Sequence, residues 1–232
     1  MTRRVIVTDV PRPEMSDVER LGTYGVATLH EAMGRSGLMQ PYLRPIYPTA
    51  RAAGTAVTVL CHPGDNLMVH AAIEVCQPGD VLVVATAAPS MDGMFGELLA
   101  TSARAHGVVG LVMDAGVRDV DTLTAMQFPV WSRSVSASGT VKETVGSVNV
   151  PVVCGGTLVR PGDVIVADGD GVVCVPRRAI PKVLAQAEAR ATREEETRAR
   201  LAAGELGLDI YGLREKLKAL GVQYVRYGEW EE

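Results

Sequence analysis

Three residues have side chains suited to holding an anion beside a cation: Glu97, Arg118 and Asp119. Mg²⁺ and Mn²⁺ prefer carboxylate and water oxygens as ligands, and an arginine can grip a carboxylate or an enolate oxygen through forked hydrogen bonds. Taken alone, an Arg-Asp pair after a strand is more often a helix cap with a surface ion pair. The chemical interpretation therefore depends on the elements that position these residues.

The residues around this trio predict a helix followed by a buried strand. Gly96 and Glu97 stand at a helix start, and Gly107 ends that helix. The uninterrupted apolar run at 108–113 predicts a strand buried on both faces, which then meets Arg118 and Asp119. Ligands of α/β proteins bind outside the carboxyl ends of parallel strands, and helix N-termini hold anions. The arrangement suits a small carboxylate substrate beside a metal ion.

Asp114 follows the apolar run directly and has two interpretations of equal weight. It lies in the pocket and orients Arg118, or it caps the turn before Gly116.

Length and composition favour one globular domain, and the mixed pattern of helices with parallel and antiparallel strands favours the α/β class. Of the 232 residues, 47% are hydrophobic but only 4% are aromatic, which predicts an aliphatic core. The net charge of -4 lacks the excess of positive charge that is typical of proteins that bind nucleic acid or an anionic membrane. No signal segment is visible and no apolar run reaches the ~18 residues of a membrane span, so we expect a cytoplasmic protein.

Local patterns predict the remaining elements. Strands are expected at 5–7, 55–60, 81–85, 129–131 and 147–153, helices from 16 to 33 and from Asp65, and a hairpin at 164–175. Pro-Gly-Asp recurs at 63–65, 78–80 and 161–163, each copy typical of a tight turn. From Pro181 the chain predicts two helices, ending at Ala203 and Leu220. Helices that follow a completed sheet often contact a neighbouring subunit, so an oligomer is expected.

Other reactive side chains are better explained as structural. The four cysteines lie in or beside apolar runs and are expected to be reduced thiols. A Schiff-base lysine is disfavoured, since Lys142 stands in a polar segment and the other three lysines in the charged tail. No histidine spacing suggests zinc, no serine has a histidine partner, and Asp168 and Asp170 are expected to bond their own hairpin turn.

Two long segments carry a family resemblance. GELLATSARAHGVVGLVMDAGVRDV and GTLVRPGDVIVADGDGVVCVP resemble the class II aldolase/regulator of ribonuclease activity A (RraA-like) family, and the resemblance covers nearly the whole chain. It implies a layered α-β-β-α sandwich with a mixed sheet. It also implies a catalytic core at 1–178 and a C-terminal helical extension at 179–232 that packs on a neighbouring subunit.

The family contains aldolases and non-catalytic regulators that bind a ribonuclease or a helicase. The chain continues past the hairpin through LGLDIYGLREKLKALG, an ending that resembles the aldolases. The regulator pattern has a glycine and an acidic residue where this chain has Glu97 and Thr122. Both departures favour the aldolase branch, and the regulator is the alternative.

The resemblance implies a role for each member of the trio. Asp119 would ligate Mg²⁺ or Mn²⁺ directly, Glu97 would hold one of the waters that complete its coordination, and Arg118 would bind the 2-oxo oxygen of the substrate. The implied reaction is retro-aldol cleavage of 4-carboxy-4-hydroxy-2-oxoadipate or 4-hydroxy-4-methyl-2-oxoglutarate, as in bacterial protocatechuate and gallate breakdown. Pyruvate is a product, and oxaloacetate decarboxylation is an expected side activity.

The resemblance also implies substrate-binding and interface residues. The amides of Gly96, Glu97, Leu98 and Leu99 would bind the pyruvyl carboxylate. Glu194 of an adjacent subunit would complete the water network, although Glu195 and Glu196 stand next to it. The expected assembly is a homotrimer or homohexamer with sites at subunit interfaces.

Overall fold

A computed structural model describes residues 4–230. Its α-helices are α1 (Met15–Thr23), α2 (Val26–Ala32), α3 (Leu67–Glu74), α4 (Glu97–Ala105), α5 (Val120–Ala125), α6 (Ile180–Ala202), α7 (Gly207–Ile210) and α8 (Leu213–Ala219). Its strands are β1 (Arg44–Pro45), β2 (Ala52–Cys61), β3 (Asp80–Thr86), β4 (Gly93–Phe95), β5 (Gly110–Val117), β6 (Val130–Val135), β7 (Ser147–Val148), β8 (Val152–Cys154), β9 (Thr157–Val159), β10 (Val164–Ala167) and β11 (Val172–Val175).

Within residues 4–230, nine of these strands form one mixed sheet. Its main path runs β1-β6-β5-β3-β2-β10-β11, with β4 beside β5 and β7 beside β2. The neighbours β2, β3, β5 and β6 are parallel, whereas β10 joins β2 antiparallel. Strands β8 and β9 pair with each other in a separate two-stranded sheet. The carboxyl ends of four parallel strands therefore share one edge, where ligands of α/β proteins bind.

The buried side chains form three clusters that separate four layers. One lies between α3, α4 and α5 and one face of β2, β3, β5 and β6. A second contains the opposite face of these strands together with residues of β8 to β11. The third joins the other face of β10 and β11 to α1, α2 and the first half of α6. The predicted α/β class and its α-β-β-α layering are confirmed.

The parallel strands are buried on both faces. In β3, residues 80–85 are all buried, because the strand lies between helices on one side and a second β layer on the other. The β-branched run expected at 81–85 is a strand for this reason.

The strand before Arg118 differs from its predicted bounds. It runs Gly110–Val117 rather than 108–113, so Asp114 lies inside β5 and not after it. Its predecessor, α4, ends at Ala105, and Gly107 follows with a φ of +80°. A Cβ at Gly107 would meet the Cα of Pro78 at 2.6 Å, so the turn needs glycine for its conformation and for space.

Several other elements are shorter than predicted. The helix expected from 16 to 33 is broken at Tyr24 into α1 and α2, and the segment 147–153 gives β7 and part of β8. The strand expected at 5–7 is a single bridge at Ile6. The final helix is divided into α7 and α8, with Gly212 at a φ of +63°. The hairpin at 164–175 is confirmed as β10 and β11.

The chain divides into two compact units after Ala187, inside α6. The unit from Glu188 onward contains no buried residue among 188–230. The predicted boundary after residue 178 and the expected contact with a neighbouring subunit remain predictions. Among residues 4–230, no helix combines the length and the apolar character needed to cross a membrane.

Asp65 joins the start of α3 to the segment 141–144. Its Oδ1 accepts a hydrogen bond from the Leu67 amide (2.9 Å), and its Oδ2 accepts from the amides of Glu143 (2.8 Å) and Thr144 (2.6 Å). Burial alone would raise the pKa of this carboxyl, but the hydrogen bonds from the three amides together lower it. Asp65 thus anchors the segment 141–144, because its carboxylate holds the amides of Glu143 and Thr144.

We expect Asp65→Asn to lower the free energy of unfolding by about 2 kcal/mol, since an amide side chain offers one acceptor oxygen where the carboxylate offers two. Because the pKa is lowered in the folded state, the stabilisation is present above the usual value of 3.8 and is lost as the pH falls below it. Urea unfolding at pH 7, and thermal midpoints between pH 5 and pH 3, measure both effects.

Asp170→Asn is the matched control, because Asp170 is exposed in the hairpin turn. Equal stability of the two variants at pH 7 would contradict the anchoring role of Asp65.

Candidate active site

The start of α4 meets the end of β5 because the short strand β4 leads directly into the helix. Strand β4 runs parallel to β5, with Gly93 opposite Gly116 and Phe95 opposite Val117. The Arg118 amide donates to the Phe95 carbonyl at 2.9 Å. The predicted juxtaposition of Glu97 with Arg118 and Asp119 is therefore present, and backbone pairing produces it.

Asp119 connects the two elements through its side chain. Its Oδ2 accepts a hydrogen bond from the Glu97 amide at 3.0 Å, so a carboxylate lies at the N-terminus of α4. The positive end of the helix dipole favours a negative charge there. Asp119 itself has a φ of 58° in the left-handed region, which aspartate tolerates better than most residues. Its carbonyl accepts from Leu123 and so begins α5.

Gly96 leaves the space that this contact needs. A Cβ at this position would lie 2.3 Å from Asp119 Oδ2 and 3.0 Å from Arg118 Cγ. The Gly96 backbone is extended, with φ of -153° and ψ of -166°, so any residue could adopt it. The requirement for glycine here is steric and comes from the two functional side chains.

The first turn of α4 presents backbone N–H groups. Within residues 4–230, the amides of Leu98 and Leu99 donate to no backbone or side-chain acceptor, as is usual in a first helical turn. Leu99 is buried, whereas the side chain of Leu98 is 78% exposed. This helix start has the geometry of an anion-binding site.

The charged side chains are only partly buried. Arg118 Nε lies 3.7 Å from Asp119 Oδ2, and the two side chains are 45% and 42% exposed. A pair this accessible contributes about 0–1 kcal/mol to stability, so both groups remain available to a ligand. Glu97 is half-buried, and its Oε1 accepts a hydrogen bond from the Thr101 hydroxyl at 3.0 Å.

A pocket of about 550 Å³ opens at this junction. One wall contains every residue of the core that was predicted to bind metal or substrate: Gly96, Glu97, Leu98, Leu99, Arg118 and Asp119. Thr122 also lines it. The volume lies within the range usual for small-molecule sites.

Three further residues that line the pocket were missed from the sequence. They are Asn66 and His70 from the start of α3, and Lys142 from the segment that Asp65 anchors. Burial lowers the pKa of His70, and the nearby Lys142 charge lowers it further. Lys142 was expected on the surface; it is exposed, but it lines the pocket. Asn66 and His70 are four residues apart and share a helix face, but no sequence spacing links them to Lys142.

Both interpretations of Asp114 were wrong. Its Oδ1 accepts hydrogen bonds from Arg133 Nε (3.0 Å) and Nη2 (2.7 Å), and its Oδ2 accepts from the Gly155 amide (2.9 Å) and the Tyr42 hydroxyl (3.4 Å). Burial raises the pKa of Tyr42 to about 12, and the Asp114 charge adds to this. Asp114 therefore belongs to an internal polar cluster on β5 and neither orients Arg118 nor caps a turn.

Glu194 lies on α6 in the second unit, where its Oε1 is 2.7 Å from Arg190 Nε. It is not among the residues that line the pocket. Its predicted role needs an adjacent subunit and stays a prediction.

The cysteines and Asp168 have the structural placement expected from the sequence. All four cysteines are free thiols, and Cys61, Cys154 and Cys174 are buried, which raises their pKa values. Asp168 accepts hydrogen bonds from the amides of Val26 (2.9 Å) and Asp170 (2.8 Å). It therefore fixes its own turn and also the start of α2.

Comparisons with known proteins agree with this architecture. A family model described as RraA-like (Aldolase/RraA) matches residues 26–174. The chain belongs to the RraA-like family. The match spans the pocket walls and the β10-β11 hairpin.

Individual RraA-like relatives carry two kinds of name. A protein of Halalkalibacterium halodurans named "Putative 4-hydroxy-4-methyl-2-oxoglutarate aldolase" is 28% identical over 182 residues, or 78% of this chain and 87% of that protein. One of Burkholderia multivorans with the same name is 36% identical over 142 residues, or 61% and 86%. The solved structure of Streptomyces coelicolor RraAS2, described as an unusual member of the RNase ES inhibitor RraA protein family, is 28% identical. It covers 82% of this chain and 99% of its own, with a TM-score of 0.74.

The Asp119 carboxylate of this RraA-like pocket has one oxygen of the kind that a hard divalent cation prefers as a ligand. In the described part of the chain, the Glu97 amide donates to Asp119 Oδ2, and Oδ1 accepts no hydrogen bond. Residues 4–230 contain no group of three His, Cys, Asp or Glu side chains placed to hold a metal. A cation here would have Asp119 as its protein ligand and water in most other positions, a pattern typical of Mg²⁺.

We expect Gly96→Ala to weaken Mn²⁺ binding at least tenfold, because the added methyl group displaces the Asp119 carboxylate. The thermal midpoint should change little, since alanine adopts this extended backbone. Isothermal titration calorimetry with Mn²⁺ and a thermal melt test both statements.

Gly139→Ala is the control, since a Cβ at Gly139 meets nothing within 4 Å. Mn²⁺ binding as tight in Gly96→Ala as in this control would contradict the assignment of the site.

Proposed function

We propose that the protein is a divalent-metal-dependent aldolase that cleaves 4-carboxy-4-hydroxy-2-oxoadipate or 4-hydroxy-4-methyl-2-oxoglutarate. The products would be pyruvate with oxaloacetate, or two molecules of pyruvate. The observation that carries the proposal is the junction of α4 with β5, where available amides, a guanidinium and a carboxylate with one unused oxygen line the same pocket.

The helix start suits the carboxylate of the pyruvyl half of the substrate. The amides of Leu98 and Leu99 provide two N–H donors near the positive end of the α4 dipole. With the carboxylate bound there, the adjacent 2-oxo oxygen is directed to the side chains that follow β5.

Arg118 would act on the oxygen where negative charge develops. Breaking the C3–C4 bond leaves its electron pair on the pyruvyl fragment as an enolate, whose charge resides largely on the 2-oxo oxygen. A guanidinium donating hydrogen bonds to that oxygen binds the transition state more tightly than the ground state, which accelerates the reaction. Protonation of C3 then gives pyruvate.

Asp119 would hold the cation, which supplies a second positive charge beside the same oxygen when bound. Glu97 would orient the water that takes the proton from the 4-hydroxyl oxygen. The Thr101 hydroxyl donates to Glu97 Oε1 at 3.0 Å, which leaves Oε2 for this task. Loss of that proton lets the C4 oxygen become the carbonyl of the second product.

Oxaloacetate decarboxylation passes through the same enolate, with carbon dioxide leaving in place of the second carbonyl compound. The same residues would therefore support it as a side activity.

The exposed apolar surface of the second unit favours an oligomer, and we propose a homotrimer or homohexamer. No residue at 188–230 is buried, and large apolar side chains there are exposed, including Leu206 (54%), Tyr211 (60%), Leu220 (70%), Tyr224 (76%) and Trp230 (66%). These five side chains lie in the segments between and after the helices, and this much exposed apolar surface is typical of an interface. Contact with another copy would bury it, and Glu194 of that copy would help to hold the water network.

A non-catalytic regulator is the second candidate, favoured by the likeness to the solved RraA protein of Streptomyces coelicolor. Such a role does not require the oxygen ligands, the free amides and the guanidinium to meet in one pocket. The two candidates differ in a measurable way, since only the aldolase releases pyruvate.

We expect pyruvate release from 4-carboxy-4-hydroxy-2-oxoadipate to stop in EDTA and to return on addition of excess Mg²⁺ or Mn²⁺. A coupled lactate dehydrogenase assay measures it. Borohydride with substrate should leave activity unchanged, because Lys142 is exposed rather than desolvated as Schiff-base lysines are. No release at any metal concentration would refute the enzyme and favour the regulator.

We expect Arg118→Ala and Asp119→Asn each to lower kcat/KM at least 100-fold, or about 3 kcal/mol in transition-state stabilisation. Arg118→Ala should leave Mn²⁺ binding nearly intact, whereas Asp119→Asn should weaken it. Asp121→Asn, an exposed change in the adjacent helix α5, is the control. A rate near that of the control in either variant would remove that residue from the proposed chemistry.

A further inference from the structure

Arg118 borders two cavities, so its own side-chain contacts leave its position weakly fixed. Besides the pocket of about 550 Å³, it lines a second cavity of about 310 Å³ together with Asp119, Val135, Ser136 and Ala137. Its side chain is 45% exposed and lies 3.7 Å from the Asp119 carboxylate. The guanidinium therefore needs support from neighbouring segments to keep one position.

Resting on the proposed function, we propose that Asp92 is a positioning residue for Arg118. Asp92 lines neither cavity, so it does not meet the substrate itself. It acts through Ser138, and so holds the segment 136–138 against the base of the Arg118 side chain.

The base of the Arg118 side chain and the segment 136–138 meet at Gly93. A Cβ at Gly93 would lie 3.2 Å from Arg118 Cβ and 3.0 Å from the Ser138 carbonyl oxygen, and it would clash with the Ser136 carbonyl oxygen. Further along the arginine, a Cβ at Gly96 would lie 3.0 Å from Arg118 Cγ and 3.2 Å from its Nε. The arginine thus runs beside β4 and the start of α4, with the segment 136–138 next to its base.

The Asp92 carboxylate ties this segment to the residues that precede β4. Its Oδ1 accepts a hydrogen bond from the Ser138 hydroxyl at 2.9 Å, and its Oδ2 accepts from the Ser90 hydroxyl at 2.8 Å. Ser90 is buried, and its Oγ accepts in turn from the Asp92 amide at 3.2 Å. The hydroxyls of Ser90 and Ser138 lower the pKa of Asp92 from 3.8, so the carboxylate is ionised at neutral pH and both hydrogen bonds are charge-assisted.

Backbone hydrogen bonds extend this link to the end of β5. The Gly93 amide donates to the Ser138 carbonyl at 2.9 Å, and the Ser136 amide donates to the carbonyl of Val117, the residue before Arg118, at 2.9 Å. Within the segment, the Ser138 amide donates to Ser136 Oγ at 3.2 Å. Ser138 is exposed, so water competes for its polar groups, and the charge-assisted bond to Asp92 opposes its release.

A small shift of this segment would affect the guanidinium more than the cation site. Asp119 is held separately, because the Glu97 amide donates to its Oδ2. Arg118 has free space on two sides and would move with the segment at its base. A displacement of about 1 Å in a group that stabilises developing charge can lower a rate about 100-fold.

The first test measures pyruvate release from 4-carboxy-4-hydroxy-2-oxoadipate. We expect Asp92→Ala and Ser138→Ala each to lower kcat at least tenfold and to change KM less than twofold, because Arg118 acts on charge that develops in the transition state. Asp92→Asn, which keeps one acceptor oxygen, should lose less than Asp92→Ala. Asp170→Ala, at an exposed aspartate that lines neither cavity, should match the wild type.

A double-variant cycle with Arg118 separates positioning from general damage to the fold. In the Arg118→Ala background, Asp92→Ala should change kcat/KM less than twofold, since the residue through which it acts is already gone. A further tenfold loss in that background, or single variants of Asp92 and Ser138 that are as active as the wild type, would overturn the inference.

Ligand binding gives a readout that does not need turnover. Oxalate resembles the pyruvate enolate in shape and charge. Calorimetry with Mn²⁺ present should show that Asp92→Ala weakens oxalate binding at least tenfold, leaves Mn²⁺ binding within twofold of the wild type, and has no further effect on oxalate in the Arg118→Ala background. Oxalate binding that is unchanged in Asp92→Ala, or Mn²⁺ binding that falls equally, would contradict the inference. Should the wild type release no pyruvate, the aldolase proposal fails, and the oxalate cycle still decides the role of Asp92.

Discussion

The hydrogen bond from the Glu97 amide to Asp119 Oδ2 is the contact on which the site depends. It joins the first residue of α4 to the loop after β5, and it directs one carboxylate oxygen into a helix start while leaving the other unused. Gly96 makes the contact possible by lacking a Cβ, and the β4-β5 pairing brings the two segments together. The half-exposed Arg118–Asp119 pair contributes too little to fix this geometry, so the backbone determines it.

A position set by backbone hydrogen bonds has a chemical advantage. Side chains that meet a ligand must stay partly solvated and weakly paired beforehand, or binding would first have to break strong contacts. Arg118 and Asp119 satisfy this, because their surroundings are held by β4, β5 and the α4 start rather than by each other. Asp114 shows the opposite case. This aspartate lies within β5, and its carboxylate accepts hydrogen bonds from four donor atoms of Arg133, Gly155 and Tyr42, so it is unavailable for chemistry.

Local patterns in the sequence predicted the elements on the reacting side of the pocket. Gly96 with Glu97 marks a helix start, and an apolar run leading to Arg118 and Asp119 marks a buried strand, so their juxtaposition follows from the rules of α/β folds. The error at Asp114 has a physical cause. A polar residue after an apolar run predicts a strand end, yet β5 continues because Arg133 and Tyr42, distant in sequence, donate hydrogen bonds to the half-buried Asp114 carboxylate. The grouping of Asn66 and His70 with Lys142 was beyond local reasoning, because it depends on backbone hydrogen bonds and on Asp65, which tie the segment 141–144 to the start of α3.

The Asp65 anchor has a consequence for how specificity could diverge among related folds. The tethered stretch is attached chiefly by its main chain, through amides that every amino acid except proline possesses, so most of the side chains it displays are free to vary. Substitutions there can change which ligands the pocket binds, while Glu97, Arg118 and Asp119 stay the same. A scaffold of this kind separates the evolution of selectivity from that of reactivity. Protein engineers could therefore change selectivity by replacing the short segment 141–144, without redesigning the whole cavity.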